Sequence, residues 1–181
     1  IFAQKKCMIS FEEARKKMAE NIPLKGTERV RFQQTINRVL AEDIFSDINM
    51  PPFDKSAVDG YACRRADLQK PLRLVEVIAA GSVPNYAIEE GHCSKIMTGA
   101  MLPIGADCVV MVEQATQNDE GIVTFADART KNNIALKGED IKEGDLVLKK
   151  GTRIKAQHIA VLAAVGAVKP LVYERARVIV A

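Results

Sequence analysis

The sequence contains no tryptophan, and six phenylalanines and three tyrosines supply all of its aromatic side chains. A hydrophobic core must therefore be built mostly from aliphatic residues. No apolar run approaches the ~20 residues that a membrane-spanning helix needs, which excludes a helical membrane protein. A chain of this length can remove roughly 70% of its unfolded surface from water, so one or two domains can fold without disulfide bonds.

A strong charge of one sign is also missing. The chain has 26 Lys and Arg residues against 23 Asp and Glu residues, a formal net charge of +3. This balance is too even to indicate nucleic acid or an anionic membrane as a partner.

The four cysteines form no C-x-x-C pair, so neither a zinc ribbon nor a redox pair is predicted. We expect Cys7, Cys63, Cys93 and Cys108 to be free, partly buried thiols in a reducing cytoplasm.

The two ends of the chain carry helical periodicity. Ser10 and Glu13 form a capping-box pair at the start of the first predicted helix, and Pro23 ends that helix. The other elements predicted in the terminal regions are a strand over Glu28–Phe32, a helix over Gln34–Leu40, and a helix over Ala156–Val165 with Gly166 as its C-cap.

The middle of the chain has a different pattern, in which prolines and glycines separate short β-branched runs. The strands predicted there are Leu72–Ala79, Cys93–Met97, Cys108–Val112 and Ile122–Ala126. The sequence therefore predicts an α+β fold, with a helical lobe formed by both termini (residues 1–45 and 145–176) and an inserted, mostly β domain (residues 46–144). Residues 177–181 are a continuous apolar run, which is typical of a buried parallel strand.

The segment of residues 51–62, PPFDKSAVDGYA, is turn-rich but carries two carboxylates, a lysine, a hydroxyl and two aromatic rings. Its adjacent prolines prevent a helix or a central strand from starting there. Asp59-Gly60 is a tight-turn signal, because glycine adopts positive φ without steric cost. Such a turn would hold the Asp59 carboxylate in a fixed place. The same residues also suit a plain surface hairpin whose aspartate caps its own turn.

Residues 51–62 resemble the signature of the MoeA/gephyrin E-domain family, the molybdopterin molybdenumtransferases. The resemblance extends from about Ile9 to Ala181, with small departures: Lys55 stands where the family usually has Asn, and Val58 where Met is common. Four further blocks agree with the family in order and spacing, namely residues 37–43 (NRVLAED), 96–100 (IMTGA), 105–110 (GADCVV) and 138–141 (GEDI).

The resemblance implies a function in molybdenum cofactor biosynthesis, the insertion of molybdate into adenylylated molybdopterin with release of AMP. It also implies an elongated β domain inserted into a helical dimerisation domain, a homodimer, and a molybdopterin adenylyltransferase as a further partner. In that family residues 177–181 open an α/β molybdopterin-binding domain. We therefore expect this chain to be an N-terminal part of the enzyme that is inactive alone. The alternative is a dimerising scaffold of the gephyrin type.

Carboxylates beside these anionic substrates require an explanation, because like charges at close range repel by roughly 1–4 kcal/mol per pair. One explanation is a divalent cation, Mg²⁺, bridging carboxylate to substrate. The other is a raised pKa, which would let an aspartic acid deliver a proton. The cation is favoured for Asp140, and both explanations stay open for Asp59, so either residue is a candidate metal ligand.

The remaining candidates follow from the same resemblance and from residue chemistry. Thr98 offers a hydroxyl, and Gly99 permits close backbone approach to a phosphate or pterin. The full set of candidates is Asp59, Asp140 and Thr98 for catalysis, and Ser56, Lys55, Gly60, Gly99 and Glu139 for substrate binding.

Overall fold

A computed structural model describes residues 8–21, 26–127 and 129–176. The chain divides into two compact units, one of residues 1–44 with 148–181 and the other of residues 45–147. We call them the terminal unit and the central unit. The strand predicted over residues 177–181 lies outside the described residues. The mixed α+β composition that the sequence predicts is confirmed.

Helix α1 (Phe11–Glu20) begins where the sequence predicts. The Glu13 backbone N–H donates to Ser10 Oγ at 3.1 Å, which satisfies one of the unpaired amides of the first turn. The Glu13 carboxylate does not complete the predicted capping box but pairs with Lys17 Nζ at 3.0 Å. The helix ends three residues before Pro23, and none of its side chains is buried within the described structure.

The helix predicted over Gln34–Leu40 is wrong. A single 3₁₀ turn, Phe32–Gln34, stands at its start, and Asn37 then adopts a φ of 62°, which an α-helix cannot contain. Leu40 instead forms an isolated β-bridge with Val172. The apolar side chains that suggested a helical face are thus placed by pairing with a distant part of the sequence.

The rest of the terminal unit is a strand pair and a second helix. Strand β1 (Thr27–Arg29), shorter than predicted, pairs antiparallel with β12 (Leu171–Tyr173). Helix α2 (Ala156–Ala164) confirms its prediction and buries Leu162. Gly166 follows the helix with a φ of 71°, as expected for a C-terminal cap. In the described residues, neither helix is long and apolar enough to cross a membrane.

The central unit contains a six-stranded sheet formed by β4 (Gly60–Cys63), β5 (Leu72–Ile78), β6 (His92–Ile96), β7 (Cys108–Met111), β8 (Ala115–Gln117) and β9 (Ile122–Phe125). Their order in the sheet is β7-β4-β6-β5-β9-β8. Strands β5 and β6 run parallel, and the other neighbours are antiparallel. Four of these strands, β5, β6, β7 and β9, confirm predictions to within a residue or two. The shorter strands are β2 (Ile44–Phe45), β3 (Lys55–Ser56), β10 (Ile134–Ala135) and β11 (Leu146–Leu148).

Both faces of this sheet are packed, so all four residues of β4 are buried. One face carries Tyr61 with aliphatic and cysteine side chains, and the other carries Ala62, Ile78 and Ile96. The core is largely aliphatic, as the shortage of aromatic residues predicts. The free cysteines Cys63, Cys93 and Cys108 are fully rather than partly buried, and Cys7 lies outside the described residues.

Candidate functional site

Residues 50–59, which include most of the 51–62 motif and are called the signature segment below, lie in the central unit between two other segments. On one side it pairs with residues 98–102. The Gly99 amide donates to Ser56 O at 2.8 Å, and the Ser56 amide donates to Ala100 O at 3.0 Å. These reciprocal bonds place the turn at Thr98 beside Asp59, although 39 residues separate the two in sequence.

The other side of the signature segment pairs with residues 134–141. Strand β3 pairs antiparallel with β10. Beyond it, the Gly138 amide donates to Pro51 O at 2.9 Å, and the Asp140 amide donates to Met50 O at 2.9 Å. The signature segment thus has the Thr98 turn along one edge and the loop of Asp140 along the other.

Asp59 and Thr98 form the most specific contact of the site. Asp59 Oδ1 accepts from both the backbone N–H and the side-chain hydroxyl of Thr98, each at 2.6 Å. The Asp59 backbone carbonyl also accepts from the Val112 amide at 3.0 Å, which fixes the main chain. Both Asp59 and Thr98 are exposed. The carboxylate is therefore held in one orientation while it stays open to solvent and ligands.

The same contact decides the ionisation of Asp59. The Thr98 hydroxyl, and next the Thr98 amide, hold the pKa of the Asp59 carboxyl below its ordinary value, because both donate to the charged form. Asp59 is therefore a carboxylate at neutral pH. This direction is opposite to the raised pKa that would make Asp59 a proton donor, so its environment favours the cation explanation, which stays a prediction.

The two candidate positions Gly60 and Gly99 require glycine for different structural reasons. Gly60 is not part of a tight turn, contrary to the sequence prediction; it opens β4, and a Cβ there would collide with the Val110 carbonyl oxygen. Gly99 has a φ of 81°, and the space that a Cβ would enter is open. Gly60 is thus required for strand packing and Gly99 for the turn itself. Substrate contact at either glycine stays a prediction.

Three other candidates differ in how they are engaged. Ser56 is buried, and its hydroxyl donates to Val58 O at 2.6 Å, which stabilises the turn before Asp59. Glu139 Oε2 accepts from the Leu136 amide at 2.7 Å within its own loop. Lys55 is half-buried in β3. The first two side chains therefore have structural partners, and a role in substrate binding stays a prediction for all three.

The acidic groups of the site are presented singly. Asp140 is exposed, and within residues 8–21, 26–127 and 129–176 no three His, Cys, Asp or Glu side chains gather to form a metal cage. Magnesium is commonly bound by one or two carboxylates, with substrate phosphates and waters completing the coordination. The ionised, exposed carboxylate of Asp59 fits that mode of binding.

Sequence reasoning assigned no role to Asp54, the other carboxylate of the signature segment. Asp54 Oδ1 accepts from the Lys137 amide at 2.7 Å, and its backbone carbonyl accepts from the Leu102 amide at 2.9 Å. A signal was present in the sequence, because Asp54 lies inside residues 51–62, the segment that resembles the family signature. Its partner could not be identified, since Lys137 is 83 residues away.

Replacing Thr98 with Val should raise the pKa of the Asp59 carboxyl toward its ordinary value, because the hydroxyl donor is lost while the backbone donor remains. Because the pKa of Asp59 is lower in the folded protein than in the unfolded chain, its ionisation stabilises the folded state at pH values above the ordinary pKa. This stabilisation is lost as the pH falls through the lowered pKa. Titration of the Asp59 carboxyl carbon by NMR measures the shift. Thr98→Ser, which keeps the hydroxyl, is the matched control. Identical titration of wild type and Thr98→Val would contradict the assignment.

Comparison with known proteins places the chain clearly. A family model described as the MoeA N-terminal region (domain I and II) matches residues 9–166. The molybdopterin molybdenumtransferase of Haemophilus influenzae is 42% identical over 177 residues, which cover 94% of this chain and 43% of the relative. The enzyme of the same name from Staphylococcus epidermidis is 37% identical over 174 residues, 92% of this chain and 41% of the relative.

Solved structures agree with the sequence comparison. The crystal structure of the molybdopterin biosynthesis moeA protein from Pyrococcus horikoshii OT3 matches with a TM-score of 0.83 at 35% identity. The match covers 92% of this chain and 46% of that one. The chain therefore spans less than half the length of these relatives.

Proposed function

This chain belongs to the MoeA N-terminal region family, and from that premise we propose that it supplies part of a site that inserts molybdate into adenylylated molybdopterin with release of AMP. The observation that carries the proposal is the Asp59 carboxylate, ionised and held by two bonds from Thr98. A molybdopterin adenylyltransferase that delivers the adenylylated substrate is the partner that this function requires.

In this proposal the residues of the chain orient the Asp59 carboxylate and help to compensate the negative charge that gathers at the site. Thr98 fixes one oxygen of Asp59, so the other oxygen has a defined direction. Asp59 and Asp140 are the residues that would hold Mg²⁺, whose charge lets carboxylates and anionic substrates share one site. Lys55, in the strand between the two loops, adds a positive charge near the same anions.

The test is molybdate-dependent release of AMP by the complete polypeptide that carries this sequence. Adenylylated molybdopterin is supplied with molybdate and Mg²⁺, and AMP is measured over time. A reaction without molybdate is the control, and removal of Mg²⁺ with a chelator followed by its replacement tests the cation. A folded protein that releases no AMP under these conditions contradicts the proposal.

We also propose that residues 1–45 with 145–176, which include most of the terminal unit, are a dimerisation lobe and that residues 46–144 form the inserted domain. Helix α1 supports this, because Phe11 and Met18 lie seven residues apart on one face and are 74% and 62% exposed. Ala160, Ala163 and Ala164 of α2 are exposed as well, and small side chains allow close helix packing.

The buried free cysteines of the central unit support a location in a reducing cytoplasm.

The complete polypeptide is therefore expected to be a homodimer by light scattering at micromolar concentration. The double variant Phe11→Ser with Met18→Lys should shift it toward monomer, because it removes the exposed apolar face of α1. Val83→Ser is the matched control, since Val83 is 70% exposed but belongs to the central unit. A monomeric wild type, or equal effects of the two variants, would contradict this assignment.

A further inference from the structure

The loop of residues 136–140, which carries Asp140, is positioned mainly by bonds to the signature segment. Within the loop, the Leu136 amide donates to Glu139 Oε2 at 2.7 Å, and the Glu139 amide donates to Leu136 O at 3.1 Å. These internal bonds shape the loop but do not attach it to the rest of the site. Three backbone amides of the loop attach it: Lys137 donates to Asp54 Oδ1 at 2.7 Å, Gly138 to Pro51 O at 2.9 Å, and Asp140 to Met50 O at 2.9 Å. Ile141, which follows the loop, also exchanges backbone bonds with Met50 at 2.7 and 3.2 Å.

Of the three bonds made by amides of the loop, the one to Asp54 depends on the identity of the acceptor's side chain. Any residue offers a backbone carbonyl, so the bonds to Pro51 and Met50 survive substitution in principle. A carboxylate oxygen that accepts from an amide is a charge-assisted acceptor, which is roughly twice as strong as a neutral one. The attachment of the loop at Lys137 is therefore encoded by a single side chain.

Asp54 also connects to the opposite edge of the signature segment. Its backbone carbonyl accepts from the Leu102 amide at 2.9 Å, four residues after Thr98. One residue thus bonds through its main chain to the segment that holds Asp59 and through its side chain to the loop that carries Asp140. Movement at Asp54 would alter the separation of the two candidate carboxylates.

We propose that Asp54 is a positioning residue, which sets the place of Asp140 by holding the Lys137 amide. The proposal rests on the function proposed above and deepens it. Catalytic groups act efficiently in one narrow geometry, and a misplacement of about 1 Å can cost as much as 10²-fold in rate. The backbone bonds to Pro51 and Met50 still retain the loop when Asp54 is changed, so the expected loss is nearer tenfold.

The experiment compares Asp54→Ala and Asp54→Asn in the complete polypeptide. Asp54→Ala removes the acceptor and should lower kcat for AMP release about tenfold, with faster amide hydrogen exchange at Lys137. Asp54→Asn keeps a carbonyl oxygen at the same position. It should restore most of kcat for AMP release and most of the slow exchange at Lys137. Asp54 is exposed, so melting temperatures should change little, and they are measured for each variant.

Three results would overturn the proposal. If Asp54→Asn restores slow exchange at Lys137 but is as slow in AMP release as Asp54→Ala, the charge of Asp54 acts directly and the residue is not a positioning group. If Asp54→Ala leaves exchange at Lys137 unaltered, the side chain does not hold the loop. If Asp54→Ala speeds exchange at Lys137 but leaves AMP release unaltered, holding the loop does not position Asp140 for the reaction. A wild type without AMP release refutes the proposed function instead, and amide exchange then still decides whether Asp54 holds the Lys137 amide.

Discussion

Replacing Asp59 with Asn is expected to lower molybdate-dependent AMP release by roughly two orders of magnitude or more, the scale for removing one positioned charged group. The amide oxygen of Asn can still accept from the Thr98 amide and hydroxyl, so the geometry of the turn should survive. What disappears is the negative charge, which the lowered pKa of Asp59 ensures at neutral pH. The measurement pairs initial rates of AMP release with melting temperatures for both proteins.

The control for this variant is Asp119→Asn, a change of equal size and charge at an exposed turn of the central unit. It should affect neither AMP release nor the melting temperature. The pH profile adds an independent check. Because Thr98 lowers the pKa of Asp59, wild-type activity should show no acid limb from this residue between about pH 5 and 8. Near-normal AMP release from folded Asp59→Asn would make Asp59 an ordinary turn residue.

Replacing Gly60 with Ala should destabilise the central unit by about 3 kcal/mol or more, at or beyond the upper range for an overpacked core. The added Cβ would collide with the carbonyl oxygen of Val110, and a backbone atom of the strand paired with β4 cannot move aside as a flexible side chain can. The midpoint of urea unfolding and the melting temperature measure the effect.

Gly91→Ala is the matched control for Gly60→Ala. Gly91 has a φ of 75°, but a Cβ there would meet no atom within 4 Å. The control therefore shows the cost of an added methyl group that meets no other atom; it includes about 1 to 2 kcal/mol for alanine at positive φ, a cost that is absent at Gly60. If Gly60→Ala is no more destabilising than Gly91→Ala, close strand packing is not the reason for glycine at position 60.

Elements with strong local signals were predictable from sequence. Ser10 marked the start of α1, and four short β-branched runs marked β5, β6, β7 and β9. The helix predicted over Gln34–Leu40 failed because Leu40 bridges Val172, and tertiary pairing outweighs a weak local helical pattern. The turn predicted at Asp59-Gly60 failed for a related reason. Glycine suits a turn and a close backbone approach equally well, and only the neighbouring strand distinguishes them.

The sequence by itself determined the family, through five motif blocks in register, and with it the candidate carboxylates Asp59 and Asp140. Only the tertiary structure decided how those carboxylates behave. The lowered pKa of Asp59 comes from Thr98, and the attachment of the Asp140 loop comes from Asp54. Hydrogen bonds act over about 3 Å of space, whereas these partners are 39 and 83 residues apart along the chain. A local pattern cannot contain such contacts, because the pairing of strands creates them.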